Sequence, residues 1–354
     1  MIPLYVGSVT DYSGKHFVAI GMALILKDEG MKIGHFKPYG TSPSRQGDSV
    51  VDRDAEFFCQ SLGVEDDMKD VCPYVVTENV MTQILTSGAK DSSKDILDAF
   101  KRVSRDKDVV IVGGVSCICC GPIVGITERQ FIEVTDSRVV LTCKLDETVH
   151  TLDRLLAMKA QLKDNFKGVI FNRIPETKLD YVEKLVGPFM ESNGVSVYGV
   201  IKNDPVLGAV SVSDLVGELG GTVLTCDDAM DQLVERFMIG AMNVSSALKH
   251  FRKQPNKAVI TGGDRADIQL AALETSTTAL ILTGDMYPNA QIITKAEETG
   301  VPIVVVHYDT GEAVERCEKL MGRLSLLSPK KLERVKEIFG TCVDWKRLKA
   351  DCGL

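Results

Sequence analysis

Short β-branched apolar runs alternate with amphipathic stretches along nearly the whole chain. The runs at 2–6 (IPLYV), 32–36 (KIGHF), 108–112 (DVVIV), 138–142 (RVVLT), 168–171 (GVIF) and 195–201 (VSVYGVI) read as strands. Between them, 15–29, 92–105, 147–163 and 177–193 carry apolar residues at helical spacing. Phe17, Ile20 and Leu24, with Val18, Met22 and Ile25, mark the first of these helices. Near-continuous apolar strands separated by helices predict a parallel sheet covered on both faces. A second series follows residue 210, with strands at 222–225, 258–261, 279–283 and 302–306. Helices are expected there at 230–248, 265–275, 289–299 and 310–322.

Asp204-Pro205 and Gly208 interrupt regular structure between the two series. The expected organisation is a parallel-sheet α/β domain over 1–210, a smaller α/β domain over 211–324, and a C-terminal helical tail over 325–354. In the tail, Ser328 is the expected N-cap and Pro329 the first helical residue.

Composition narrows the function classes. The chain has 354 residues, 44% of them hydrophobic, which suits two domains of ordinary size. A net charge of −8 and a pI near 5.3 give no general electrostatic footprint for nucleic acid. No apolar run approaches the roughly 20 residues of a membrane span. Met1 leads straight into a strand-like run, so the expected location is cytoplasmic, with no membrane partner. Ten cysteines in that setting read as reduced thiols. Cys59, Cys72, Cys143, Cys226 and Cys317 read as small core hydrophobes.

The stretch GSVTDYSGKH (7–16) joins the first strand to the first helix. Such a junction aims main-chain N–H groups at one point, and the helix dipole favours an anion there. Ser13 and Gly14 supply amides, and Lys15 adds a full positive charge. The usual phosphate loop has a Ser or Thr hydroxyl next, holding Mg²⁺; here that residue is His16. The loop is one residue longer than the common form.

That longer loop resembles dethiobiotin synthetase and its relatives, and four further segments agree in order and spacing. HFKPYG (35–40) resembles a strand end whose lysine, Lys37, approaches phosphate and substrate. DRD (52–54) lies where the family places an aspartate near the metal, which makes Asp52 and Asp54 candidates. GVIFNRIP (168–175) resembles the strand ending in the asparagine that reads adenine, here Asn172. GVIKNDP (199–205) resembles the segment beside the base. The branch most similar is the dethiobiotin synthetase-like N-terminal region of long bacterial phosphate acetyltransferases and of stand-alone proteins. It has a P-loop-type parallel sheet followed by a DRTGG domain. Residues 213–323 resemble the DRTGG domain, most clearly at 260–274 and 280–306. The acetyltransferase catalytic domain is not expected within this chain.

The resemblance implies an adenine nucleotide (ATP, ADP or AMP) as cofactor, a homo-oligomer, and a phosphate acetyltransferase or related acetate-pathway enzyme as partner. Mg²⁺ fits poorly, because His16 replaces a hydroxyl and Gly113 stands where the family's strand brings a glutamate. The expected activity is therefore nucleotide-dependent regulation with little or no ATP turnover, and no catalytic residue is assigned. An ATP-dependent ligase of the dethiobiotin type is one alternative. A metal or iron–sulfur carrier using Cys117 and Cys120, with Cys119 beside them, is another. In the second half, Gly262 and Gly263 are expected to allow positive φ and close backbone approach, Asp264 to be an N-cap, and Arg265 to reach an anion or an opposing carboxylate. Gly284 and Asp285 are expected on the same sheet edge.

Overall fold

The computed structural model describes residues 1–10, 13–47, 49–115, 118, 120–322 and 329–354. Two compact units form. One joins Met1–Asn203 to Leu326–Leu354, and the other is Asp204–Ser325.

The first unit is built on strands β1 (Ile2–Ser8), β2 (Ile33–Phe36), β5 (Val109–Gly113), β6 (Arg138–Cys143), β7 (Phe166–Ile174) and β8 (Val197–Lys202). They form one parallel sheet in the order β2-β5-β1-β6-β7-β8. A hairpin of β3 (Pro43–Gln46) and β4 (Ser49–Asp52) stands apart from it. Val110, Val112, Val139, Leu141, Val169 and Phe171 are wholly buried, as strands covered on both faces require. Helix α1 (Lys15–Asp28) buries nine of its 14 residues. Helix α2 (Arg53–Leu62) is capped by Asp52, whose side chain accepts from the amides of Asp54 and Ala55.

The expected helix over 177–193 is interrupted. Leu179–Tyr181 is α-helical, Val182–Val186 forms a π turn, and Gly187–Ser192 resumes the α-helix. Pro188 lacks an N–H and cannot continue the i−4 ladder, so the chain widens just before it.

The C-terminal segment completes this first unit. Its helix Pro329–Cys342 carries Val335 and Phe339, both fully buried. The Phe339 ring lies where a Cβ on Gly21 would sit, 2.4 Å from its nearest atom, so α1 must carry glycine there. Val343 bridges to Gly199, and the Asp344 amide donates to Tyr198 O, which covers the exposed side of edge strand β8. Ser328, the expected cap of this helix, lies outside the described residues.

The strands of the second unit are β10 (Thr222–Val223), β12 (Arg236–Ile239), β13 (Lys257–Gly262), β14 (Thr277–Thr283) and β15 (Ile303–Val305). They form a five-stranded sheet ordered β10-β15-β14-β13-β12. All neighbours are parallel except β10 on β15. A two-stranded ribbon pairs β9 (Val210–Ser211) with β11 (Leu233–Val234). The helix expected over 230–248 does not form. Its N-terminal part becomes β11 and β12, and only Val244–Phe251 is helical, capped by Asn243. Met230, Leu233, Val234, Phe237 and Met238 mimic helical spacing, but the open edge of β13 offers backbone partners that outweigh this weak local preference. Among the described residues no helix is long and apolar enough to cross a membrane.

Candidate functional site

The crevice lies at the C-terminal ends of β1, β5 and β2, where chain connections diverge on either side of β1. Gly14 sits between β1 and α1 with φ 83° and ψ 37°, a left-handed conformation that favours glycine. The Asn172 amide nitrogen also comes within 2.4 Å of where its Cβ would be. That amide donates to Ser13 O at 2.8 Å, and Thr142 Oγ1 donates to the same oxygen at 3.3 Å. The Val9 amide donates to Thr142 O at 3.1 Å. Strands β6 and β7 thus tie down the loop from below. Among the described residues no side chain caps α1, whose N-cap is Gly14. The buried Ser13 Oγ has no partner among the described residues.

Asn172, expected to face the base, is buried and turned inward onto the loop.

The Lys15 ammonium donates to Val115 O, just past the end of β5. Burial and the nearby Lys37 charge lower its pKa. Val115 is itself fixed, because its amide donates to Glu128 Oε1 at 2.5 Å, while the Tyr5 hydroxyl donates to the other Glu128 oxygen. Glu128 is buried and comes from the helix Glu128–Thr135. Sequence reading missed it. One acid in an ordinary capped helix start carries no signal that it will be buried against a strand end.

Beside Lys15 lies a charged cluster. Lys37 follows β2 and donates to Asp52 Oδ1 at 2.7 Å and to Asp54 Oδ2 at 2.8 Å. Asp52 also accepts from the amides of Ser42 at Oδ2 (3.0 Å) and of Asp54 and Ala55 at Oδ1 (3.1 Å each). Against the desolvation that burial imposes, Asp54 and Asp52 hold the Lys37 pKa above its ordinary value. Burial acts on Asp54 too, but Lys37 and then His16 outweigh it and hold that carboxyl well below the usual range. His16 Nε2 stands 3.8 Å from Asp54 Oδ2. Burial pushes the His16 imidazole down to about 4 and His35 to about 3, so both are neutral at pH 7. His35 hydrogen-bonds Ile111 O through Nδ1 at 2.9 Å and stacks on Phe58. Lys15, His16, His35, Asp54 and Gly113 surround a cavity of only about 10 Å³, room for one water. Among the described residues no three His, Cys, Asp or Glu side chains are arranged to hold a metal ion.

Cys117 and Cys119 lie outside the described residues. Cys120 is partly buried, after the β5 strand end.

In the second unit, Gly262, Gly263, Asp264 and Arg265 follow β13, and Gly284 and Asp285 follow its neighbour β14. The two turns share one sheet edge. Two local expectations are corrected. Neither Gly262 nor Gly263 has positive φ; Gly284 and Asp285 do, at 82° and 54°. Close backbone approach does occur at Gly263, whose Cβ would lie 2.0 Å from Met286 O. Asp264 does not cap the helix, which begins at Ala266 after Arg265. Arg265 pairs with Asp267 at 3.0 and 3.2 Å and donates to Met242 O at 3.1 Å. Gln269, another residue that sequence reading passed over, is buried and donates to the carbonyls of both Gly262 and Gly263 at 3.0 Å.

Residues 3–211 match the model of an AAA domain, and residues 214–320 match that of the DRTGG domain. A phosphate acetyltransferase of Pseudomonas aeruginosa is 25% identical over 365 residues, covering 95% of this chain and 50% of that protein. The chain thus spans about half the length of these relatives. An ATP-dependent dethiobiotin synthetase of Caldicellulosiruptor bescii is 29% identical over 182 residues, covering 47% of this chain and 71% of the synthetase. Among solved structures, the CBS and DRTGG regulatory region of Clostridium perfringens pyrophosphatase, complexed with diadenosine tetraphosphate, aligns at a TM-score of 0.30 and 18% identity. It covers 44% of this chain and 71% of that one. With the P-loop-type sheet, its tied-down glycine–lysine turn and the small α/β unit that follows in sequence, the chain belongs to the AAA-domain family and carries a DRTGG domain behind it.

Proposed function

We propose that this protein is a nucleotide-binding regulator, related to the N-terminal half of phosphate acetyltransferases, that turns over little or no ATP. The observation that carries this reading is the turn before Lys15. Asn172 and Thr142 fasten its main chain, while the first amides of α1 take no described side-chain cap. That is the arrangement an anionic phosphate group requires. Lys15 would exchange Val115 O for a phosphate oxygen, a stronger, charge-assisted bond. The dethiobiotin synthetases it resembles are ATP-dependent by name, which favours an adenine nucleotide. Residues 13–16, with Lys37 and Asp54 at their side, form the phosphate end. Gly262, Gly263, Asp264, Arg265, Gly284 and Asp285 form a second polar edge in the DRTGG unit that senses ligand and passes its state to a homo-oligomer interface. A phosphate acetyltransferase or related acetate-pathway enzyme in the cytoplasm is the partner class.

Calorimetry with ATP, ADP and AMP on the full chain and on Lys15→Ala tests this. The expected result is binding with Kd of about 1 mM or tighter, weakened about tenfold or more by the substitution. No binding to the wild type at that concentration ends the reading. Phosphate release on the order of once per second would move the assignment to the ligase alternative.

A further inference from the structure

A phosphate loop of this family is expected to work with Mg²⁺, and the donors present here do not fit that ion. His16 offers an imidazole where a hydroxyl oxygen is needed, and Mg²⁺ prefers oxygen ligands in strict octahedral array. The β5 strand end brings Gly113 and Gly114 and no carboxylate. The nearest buried acid, Glu128, is engaged by the Tyr5 hydroxyl and the Val115 amide. The two remaining acids, Asp52 and Asp54, converge on one point, and that point is already occupied by the Lys37 ammonium, at 2.7 and 2.8 Å.

We propose that the Lys37 ammonium is a built-in cation standing where a divalent ion would stand, so that this site binds its phosphate ligand without metal. The inference rests on the nucleotide-binding reading and deepens it. Three observations carry it. The Lys37 and Asp52 side chains are 4% and 0% exposed, so the pair is a fixed part of the interior. Asp52 Oδ1 carries the Lys37 ammonium together with both α2 cap amides, and Oδ2 accepts from the Ser42 amide, so a metal bound through Oδ1 would have to displace the ammonium or the cap. A divalent ion placed between the two carboxylates would also sit beside Lys37 and Lys15, and like charges at such range repel strongly in a buried setting.

Two measurements on the full chain decide it. In the first, ADP is titrated calorimetrically in buffer containing Mg²⁺ and in buffer containing EDTA. Kd is expected to agree within about twofold. A gain of about tenfold or more with Mg²⁺ overturns the inference and leaves nucleotide binding standing. Absence of ADP binding in both buffers overturns the nucleotide reading instead, and the second measurement then judges the cation on its own. That measurement is the electron paramagnetic resonance of Mn²⁺ added to nucleotide-free protein. Wild type is expected to leave the signal of the hydrated ion unchanged, and bound Mn²⁺ overturns the inference. Lys37→Met, checked for folding by circular dichroism, is expected to gain bound Mn²⁺ as Asp52 and Asp54 lose their ammonium. A folded Lys37→Met that takes up none shows that the ammonium does not occupy a metal position, and overturns it. If that variant does not fold, the wild-type signal and the EDTA comparison still decide.

Discussion

At the scale of single residues, Asn172 separates two kinds of recognition. Its amide nitrogen is committed to Ser13 O, so its substitution should loosen the loop rather than alter base preference. Asn172→Ala is expected to weaken ATP, GTP and inorganic tripolyphosphate alike, by about tenfold. A loss confined to ATP, seen in parallel titrations, would return Asn172 to base reading. His35 gives a second residue-level expectation. Its pKa falls to about 3 in the fold, chiefly through burial, and is near 6.5 when unfolded. The unfolded chain therefore binds the extra proton between those values. Stability from the neutral imidazole is fully present above pH 6.5 and is lost as pH falls toward 3. The depressed Asp54 carboxyl adds a further loss at the acid end, below its unfolded value near 3.8. Within that window each pH unit should remove up to about 1.4 kcal/mol for His35 alone. His35→Gln should start less stable and show a shallower acid slope. Parallel slopes in denaturant titrations at pH 7 and 5 would refute this.

At the scale of elements, β4 and α2 meet at Asp52, which is both the cap of the helix and the anchor of Lys37. Asp52→Ala removes four hydrogen-bonding contacts and leaves the buried Lys37 ammonium with Asp54 as its one remaining described carboxylate, a loss of about 3–5 kcal/mol in urea unfolding. Asp52→Asn keeps an acceptor for the amides and should lose less. Equal losses would mean that the charge pair, not the cap, carries the stability. Gly40 belongs to the same junction, since a Cβ there would lie 2.3 Å from Asp52 Oδ2. None of this is legible from periodicity. The pattern gives α1, most strands and their order along the chain. It fails over 230–248, where the spacing of Leu233, Phe237 and their neighbours suits a helix but an open sheet edge captures the segment.

At the scale of the whole molecule, the first unit is discontinuous in sequence. It is closed by the C-terminal helices, with Phe339 packed against Gly21 and its ring 5.5 Å from that of Phe17. Lys336 pairs with Asp28, and Arg347 with Glu191, along the same seam. Phe339→Ala is expected to lower the stability of this unit by about 3–5 kcal/mol. In scanning calorimetry the two units should melt as separate transitions, with only one of them moved by the substitution. A single transition, or equal shifts of both, would contradict the division of the chain.

The sequence by itself determined the fold class, the strand–helix alternation, the glycine–lysine turn and the absence of a hydroxyl at His16 and of a carboxylate at Gly113. These are properties of residue type and spacing, which local sterics and period make readable. Only the tertiary structure decided that Lys37 lies between Asp52 and Asp54, that Asn172 faces inward, that Glu128 anchors the Lys15 acceptor, and that the tail closes the first unit. Those contacts join residues as far apart in the chain as Gly21 and Phe339, and no local pattern encodes which of many buried partners a side chain will meet.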